Sequence, residues 1–248
     1  MKASPSITVV VNAHREGELA EATLRAVGRA ADDARAHDIA VETIGVLDAP
    51  DDATVAVFER WAAETPNARV RTTLVDDLGR ARNEGVAAAR GAHVAFMDAD
   101  DLCSANWLWA AHRAAHGDAR CVVWHPEANL YFGARRDVLH HPDMDDPDFR
   151  LGPLAAVNYR TALAFAPRDL LLRVPYRATD LSAGVGFEDW TWNMDAIAAG
   201  AVHKTVRGAF HAIRARPGSL LARSGRAGAL PHPNDLFRHH VAERGARG

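Results

Sequence analysis

Cysteine and lysine are both scarce in this chain of 248 residues. The two cysteines, Cys103 and Cys121, lack the spacing of a metal-binding finger, and so few thiols are typical of a protein from a reducing cytoplasm. Lysine occurs only at Lys2 and Lys204, and we attribute this shortage to a high-GC coding bias. We therefore predict a cytoplasmic protein.

Long apolar runs and an excess of one charge are also missing. No apolar run approaches the ~20 residues that a membrane-spanning helix needs, and the N-terminus lacks the basic and apolar regions of a signal peptide. The formal net charge of −3 gives no reason to expect binding to nucleic acid. With 48% hydrophobic and 25% charged residues, the chain is predicted to be globular and free of transmembrane segments, with peripheral membrane contact left open.

Segments typical of strands and helices alternate over the first 115 residues. Short apolar runs predict strands, and apolar residues at three- and four-residue steps predict the helices between them. The predicted strands are 7–11, 41–47, 70–75 and 93–97, and the predicted helices are 18–34, 54–63, 83–90 and 105–115. This alternation predicts an α/β fold with a central, mostly parallel sheet flanked by helices.

The second half of the sequence is less regular. Its predicted elements are strands at 121–124 and 163–166 and a helix at 188–200. Because no interdomain linker is evident, we expect one domain over residues 1–221. A tail rich in glycine and arginine follows at 222–248, with one more helix predicted towards its end.

Three aspartates follow directly after the predicted strand 93–97. Asp98, Asp100 and Asp101 therefore lie at the carboxyl end of a buried strand, which is where open α/β sheets bind ligands. Clustered carboxylates repel one another unless a cation neutralises them, and their hard oxygen atoms suit Mg²⁺ or Mn²⁺. The cluster predicts a site for a metal ion and for a phosphate that the metal bridges. The alternative is a turn in which one aspartate caps the next helix.

Asp48 also follows an apolar strand and lies at the same edge of the predicted sheet, so its carboxylate could accept hydrogen bonds from a nucleotide base or ribose. Arg80 and Arg82 lie just before a predicted helix, and at least one of them is expected to bind a diphosphate, to which a guanidinium donates two parallel hydrogen bonds. The alternatives are a solvated turn at Asp48 and a surface arginine beside a helix that Asn83 caps. Gly91 is expected to end that helix, in the position that glycine favours after a helix.

Two segments of the second half carry charged candidates as well. Glu188 and Asp189 open the predicted helix 188–200, where the helix dipole stabilises acids and would keep a general base ionised. Arg214 and Arg216 precede a Pro-Gly-Ser turn, which predicts a cationic loop able to fold over an anion. The alternatives are ordinary dipole stabilisation for the two acids and a basic surface turn for the two arginines.

The order of these motifs resembles that of family 2 glycosyltransferases, which have the GT-A fold and invert the anomeric centre. The matching segments are Val-Val-Val-Asn-Ala-His-Arg-Glu, Leu-Asp-Ala-Pro-Asp-Asp, the long segment from Ala-Arg-Asn-Glu-Gly to Phe-Met-Asp-Ala-Asp-Asp, Gly-Phe-Glu-Asp-Trp and Arg-Ala-Arg-Pro-Gly-Ser-Leu. They cover about residues 6–221. The resemblance implies a nucleotide-sugar donor, an unidentified acceptor, a nucleotide-binding half at about 1–115 and an acceptor half at about 116–221.

The resemblance also implies a role for each matching residue. Asp189 would be the catalytic base, with Glu188 beside it orienting hydroxyl groups, and Asp100 and Asp101 would face a divalent metal, Mn²⁺ or Mg²⁺. The donor-binding residues would be Ala13, His14, Glu16, Asp48, Arg82, Asp98, Arg214 and Arg216. The last two would belong to a loop that closes over the phosphates.

Arg216 departs from the pattern, since many relatives have a histidine metal ligand at this place. The substitution weakens the expectation of tight metal binding and would let the arginine supply part of the neutralisation. Among other classes, a phosphatase with an Asp-x-Asp nucleophile needs its motif after the first strand and Thr or Val where this chain has Leu102. A nucleotidyltransferase needs a glycine-rich loop after strand one. The remaining alternative is a nucleotide-sugar-binding domain without catalysis.

Overall fold

The computed structural model describes residues 5–236, in which nine strands form one sheet. The strands are β1 (Ile7–Ala13), β2 (Val41–Asp48), β3 (Ala68–Thr73), β4 (His93–Asp98), β5 (Leu102–Cys103), β6 (Val122–Gly133), β7 (Asp137–His140), β8 (Phe165–Pro167) and β9 (Val202–Ala215). The α-helices are α1 (Ala20–Ala36), α2 (Asp52–Glu64), α3 (Leu78–Ala88), α4 (Trp107–His116), α5 (Arg168–Arg173), α6 (Glu188–Ala198) and α7 (Leu220–Arg226). The strand order is β3-β2-β1-β4-β8-β6-β9-β5, and β7 pairs with β6.

The first four strands along this order form the parallel part of the sheet. β1 pairs in parallel with β2 and with β4, and β2 pairs in parallel with β3. Successive residues of β1 enter two different apolar clusters, with Val9 and Val11 in one and Val10 in the other. Both faces of the strand are therefore covered, as in other parallel sheets. The predicted α/β class is confirmed.

The second half adds antiparallel pairs, so the complete sheet is mixed. β8 lies antiparallel between β4 and β6, and β6 pairs in parallel with β9 from Val122 to Gly133. The prediction that Arg214 belongs to a loop is wrong, because residues up to Ala215 continue β9. Pairing with β6 provides hydrogen bonds for the backbone N–H and C=O groups of this polar segment. The connecting loop begins only at Arg216.

Helix α3 begins five residues earlier than predicted, at Leu78 rather than Asn83. Asp77 caps it by accepting a hydrogen bond of 2.8 Å from the amide of Arg80. The prediction for Gly91 is also wrong, since its φ is not positive and α3 already ends at Ala88. A Cβ atom on Gly91 would lie 2.5 Å from the amide nitrogen of Thr8. The close approach of the start of β1 therefore leaves no space for a side chain at this position.

Helix α7 lies on the boundary between the predicted domain and its tail. After it, Leu230 forms a bridge with Val185, and the amide of His232 donates to Oγ1 of Thr191. The helix predicted towards the chain's end lies outside the described residues. Within residues 5–236, no helix is both long enough and apolar enough to cross a membrane.

Candidate active site

The carboxyl ends of β1, β2 and β4 open into one cavity of about 1240 Å³. The volume exceeds the range of roughly 300–1,000 Å³ that is typical of small-molecule sites, so there is room for more than one ligand. All of the site residues predicted from the sequence line this cavity, namely Ala13, His14, Glu16, Asp48, Arg82, Asp98, Asp100, Asp101, Glu188, Asp189, Arg214 and Arg216. The fold therefore brings together residues from both halves of the chain.

Arg82 connects the acids of the two halves. Its Nη2 donates to both oxygens of Asp98 at 3.0 and 3.2 Å, and its Nη1 donates to Oε1 of Glu188 at 2.6 Å. The side chain is fully buried. Burial alone lowers the pKa of a guanidinium, but the charges of Asp98 and Glu188 outweigh it and raise the pKa of Arg82 above its usual value. Arg82 is therefore a permanent cation that joins the end of β4 to the start of α6.

Asp189 lies next to this ion-paired group and is partly buried. Its Oδ1 accepts a hydrogen bond of 2.7 Å from the amide of Trp190, and Asn158 donates to its Oδ2 at 3.4 Å. Burial, followed by the charge of Glu188, raises the pKa of Asp189 to about 7. The preceding residue, Phe187, has a φ of 57°, a left-handed conformation that is rare for a bulky residue and common at functional sites. A carboxyl group with this pKa can exchange a proton near neutral pH.

The other two acids of the aspartate cluster, Asp100 and Asp101, contact residues near the end of β9 or directly after it. Oδ2 of Asp100 accepts a hydrogen bond of 2.7 Å from Nε of Arg216, whose Nη2 also contacts Oε1 of Glu16 at 3.1 Å. Burial and the charge of Asp101 raise the pKa of Asp100 to about 6. Asp101 is buried, with Nε2 of His211 at 2.9 Å from one oxygen and the amide of Arg214 at 2.8 Å from the other. Each carboxylate of the cluster is thus ion-paired or hydrogen-bonded by protein groups.

These contacts leave few oxygen atoms for a metal ion. Both oxygens of Asp98 accept from Arg82, and both oxygens of Asp101 are hydrogen-bonded. Across the part of the chain that the structure describes, no three His, Cys, Asp or Glu side chains are arranged to hold a metal. Divalent cations such as Mg²⁺ take about six oxygen ligands, some of them water. The residues present therefore do not fit the metal that the resemblance implies.

Asp48 shapes the wall of the cavity through its backbone contacts. Its carboxylate accepts hydrogen bonds from the amides of Val75, Asp76 and Asp77, at 2.9 to 3.1 Å. Its carbonyl oxygen contacts Nδ1 of His14. Asp48 therefore holds residues 75–77 against the end of β1, and its carboxylate already accepts three hydrogen bonds from the backbone.

Three residues of the site were missed by the sequence analysis. Asp77 accepts from the amide of Thr179 as well as capping α3, and a cap signal before Leu78 could have revealed it. His211 lies 110 residues from its partner Asp101, so no spacing rule connects them. Arg160 lines the cavity, is almost fully buried, and has no hydrogen-bond partner among the described residues for any guanidinium nitrogen. Burial lowers the pKa of Arg160 to about 10.

Solved structures share this fold. TarS residues 1–349 from S. aureus, in complex with UDP-GlcNAc, superposes with a TM-score of 0.68 at 16% identity, covering 94% of this chain and 64% of that one. The mannosyltransferase PcManGT from Pyrobaculum calidifontis, in complex with GDP-Man and Mn²⁺, has a TM-score of 0.61 at 18% identity, covering 90% and 60% of the two chains. The architecture is thus of the GT-A type.

The chain belongs to glycosyltransferase family 2. The family model described as Glycosyl transferase family 2 matches residues 8–145, more than half of the chain. A curated relative, the uncharacterized protein y4gI of Sinorhizobium fredii, is 26% identical over 194 residues, covering 77% of this chain. The chain spans only 20% of that relative's length.

Proposed function

We propose that this chain transfers a sugar from a nucleotide-diphosphate sugar to an acceptor hydroxyl, with inversion at the anomeric carbon. The observation that carries the proposal is the bridge formed by Arg82 between Asp98 and Glu188. It supports a single site in which the acids after β4 hold the donor and Asp189, next to Glu188, meets the acceptor. Membership of the family supports the same reaction class.

Asp189 acts as the general base in this proposal. Its carboxylate accepts the proton of the acceptor hydroxyl while the hydroxyl oxygen forms a bond to the anomeric carbon. The bond between that carbon and the diphosphate oxygen breaks in the same displacement, and its electron pair leaves with the nucleoside diphosphate. A base whose pKa is about 7 is matched to this task and is expected to contribute a rate factor of ~10²–10⁴.

The donor lies along the carboxyl ends of β1, β2 and β4. The nucleotide base packs beside Ala13 and His14, in a wall that Asp48 shapes by holding residues 75–77. Asp98 accepts hydrogen bonds from the ribose or the sugar, and Arg82 keeps it in place. Glu188 orients hydroxyl groups from the opposite side.

The leaving diphosphate gains negative charge as its bond breaks. Arg214 and Arg216 both line the cavity, and the guanidinium of Arg214 lies over the ring of Phe132, 4.7 Å from its centroid. Two fixed cations beside the leaving group stabilise the developing charge electrostatically. Residues 216–224, which include the first turn of α7, also line the cavity, and in this proposal they limit the access of water.

The test is the release of nucleoside diphosphate from a panel of donors that includes UDP-GlcNAc, GDP-mannose and dTDP-glucose. We expect one donor to be consumed by the wild-type chain, and we expect Asp189→Asn to lower that rate by ~10²–10⁴. NMR of the sugar product at early times reports whether the anomeric configuration has inverted.

The matched control is Asp195→Asn, which makes the same chemical change on the same helix. Asp195 pairs with Arg177 and does not line the cavity, so its substitution should leave the rate within about twofold. Donor binding without any product that depends on Asp189 would favour the alternative, a nucleotide-sugar-binding domain without catalysis.

A further inference from the structure

Arg216 occupies the position at which a cation would balance the aspartate cluster. Its guanidinium bridges Asp100, just after β4, and Glu16, just after β1. Asp98 and Asp101 have separate partners, in Arg82 and in His211 with the Arg214 amide. Every carboxylate of the cluster is therefore balanced or hydrogen-bonded by a group of the protein itself.

We propose that Arg216 takes the place of a divalent cation, so that the chain binds and releases a nucleoside diphosphate without a metal ion. The diphosphate is that of the donor in the proposed function, on which this assignment rests. The two contacts with Asp100 and Glu16 use two of the five N–H donors of a guanidinium, and the side chain lines the cavity. The remaining donors suit phosphate oxygens, which arginine binds through parallel hydrogen bonds.

A metal ion at Asp100 would have to displace Arg216 first. It would then lie beside a second positive charge while both oxygens of Asp98 and of Asp101 remain engaged. Since hard divalent cations require several oxygen ligands, this exchange gains few ligands and adds repulsion between cations. The arginine is consequently the more stable occupant of the position.

The test measures the binding of UDP, GDP and dTDP by calorimetry, once in EDTA and once in MnCl₂. The wild-type chain is expected to bind one nucleotide with a Kd that agrees within about twofold between the two media. Arg216→Ala should weaken this binding about 10-fold or more in EDTA, because a charge-assisted contact is lost and no cation is present to replace it. Arg207→Ala is the control, since Arg207 is an exposed residue of β9 outside the cavity.

A second measurement follows Mn²⁺ itself, by EPR of the free ion. The wild-type chain should leave the signal of free Mn²⁺ unchanged, with and without nucleotide, whereas Arg216→His restores a metal ligand and should bind the ion when nucleotide is present. Stoichiometric binding of Mn²⁺ by the wild-type chain, or nucleotide binding abolished by EDTA, would overturn this inference and leave the proposed function standing. A wild-type chain that binds none of the three nucleotides in either medium would overturn both.

Discussion

Nη1 of Arg82 donates a hydrogen bond of 2.6 Å to Oε1 of Glu188, and both side chains are buried. The two residues are 106 positions apart, one in the middle of α3 and the other at the start of α6. Asp98 accepts a hydrogen bond from Nη2 of the same guanidinium. The side chain of Arg82, in α3, therefore links a carboxylate of β4 to a carboxylate of α6. This arrangement positions the candidate base relative to the acids that face the donor.

Replacing Arg82 is expected to destabilise the protein strongly. Arg82→Met removes the cation that pairs with the buried Glu188 and the partly exposed Asp98, and we expect it to cost about 3–5 kcal/mol of unfolding free energy. Urea denaturation measures the change. The control is Arg71→Met, which breaks an exposed ion pair with Glu84 and should cost under about 1 kcal/mol. Equal losses in the two variants would contradict the central role given to Arg82.

The close approach of Gly91 to β1 predicts opposite effects for two glycine-to-alanine substitutions. Gly91→Ala places a methyl group against the backbone of Ile7 and Thr8, and is expected to destabilise the protein by about 1–3 kcal/mol. Gly28→Ala adds a methyl group within α1 where no atom lies within 4 Å, and should stabilise it by about 0.5–1 kcal/mol. Thermal denaturation of both variants measures the two changes in stability. A stabilised Gly91→Ala would show that the backbone of Ile7 and Thr8 leaves space for a methyl group.

The guanidinium of Arg160 is buried without a hydrogen-bond partner among the described residues and lies over the ring of Tyr159, 5.7 Å from its centroid, which predicts a gain in stability when the charge is removed. Arg160→Met replaces a desolvated charge by an apolar side chain of similar length, and we expect the unfolding free energy to rise by about 1–3 kcal/mol. Arg150→Met, at an exposed arginine, should change it by less than about 0.5 kcal/mol. A marked loss of stability in Arg160→Met would mean that the guanidinium has a stabilising partner in solution.

The parallel half of the fold could be predicted because its signals are local. Strands β1, β2 and β4 are short apolar runs, and each ends at a residue that was predicted for the site, namely Ala13, Asp48 and Asp98. The start of α3 was missed because Gly79 and two arginines interrupt the apolar pattern there, and only the cap at Asp77 marks it. Boundaries that depend on one capping residue are harder to predict than elements built on several apolar residues.

The second half was harder because long-range pairing decides its structure. β6 was expected to end at Trp124, yet it continues beyond Pro126 with a register shift and keeps β9 as its partner. β9 contains Lys204, Arg207 and His211, which interrupt any apolar alternation. Contacts such as that between Asp101 and His211 follow from this pairing, so the convergence of the acids was predictable while their hydrogen-bond partners were not.

The pH dependence of donor turnover tests the central role of Asp189 most directly. Hydrolysis of the donor suffices, since water then takes the place of the acceptor hydroxyl. Because only the carboxylate accepts a proton and its pKa is raised to about 7, kcat/KM should rise tenfold per pH unit up to about pH 7 and then level off. Asp100, whose pKa is raised to about 6, titrates below this point.

The comparison of wild type with Asp189→Asn completes that measurement. We predict that the variant loses both the rate and the rise towards pH 7, while Asp195→Asn retains both. A wild-type profile that is flat between pH 5 and pH 8, or a rise that persists in Asp189→Asn, would contradict the assignment of Asp189 as the base.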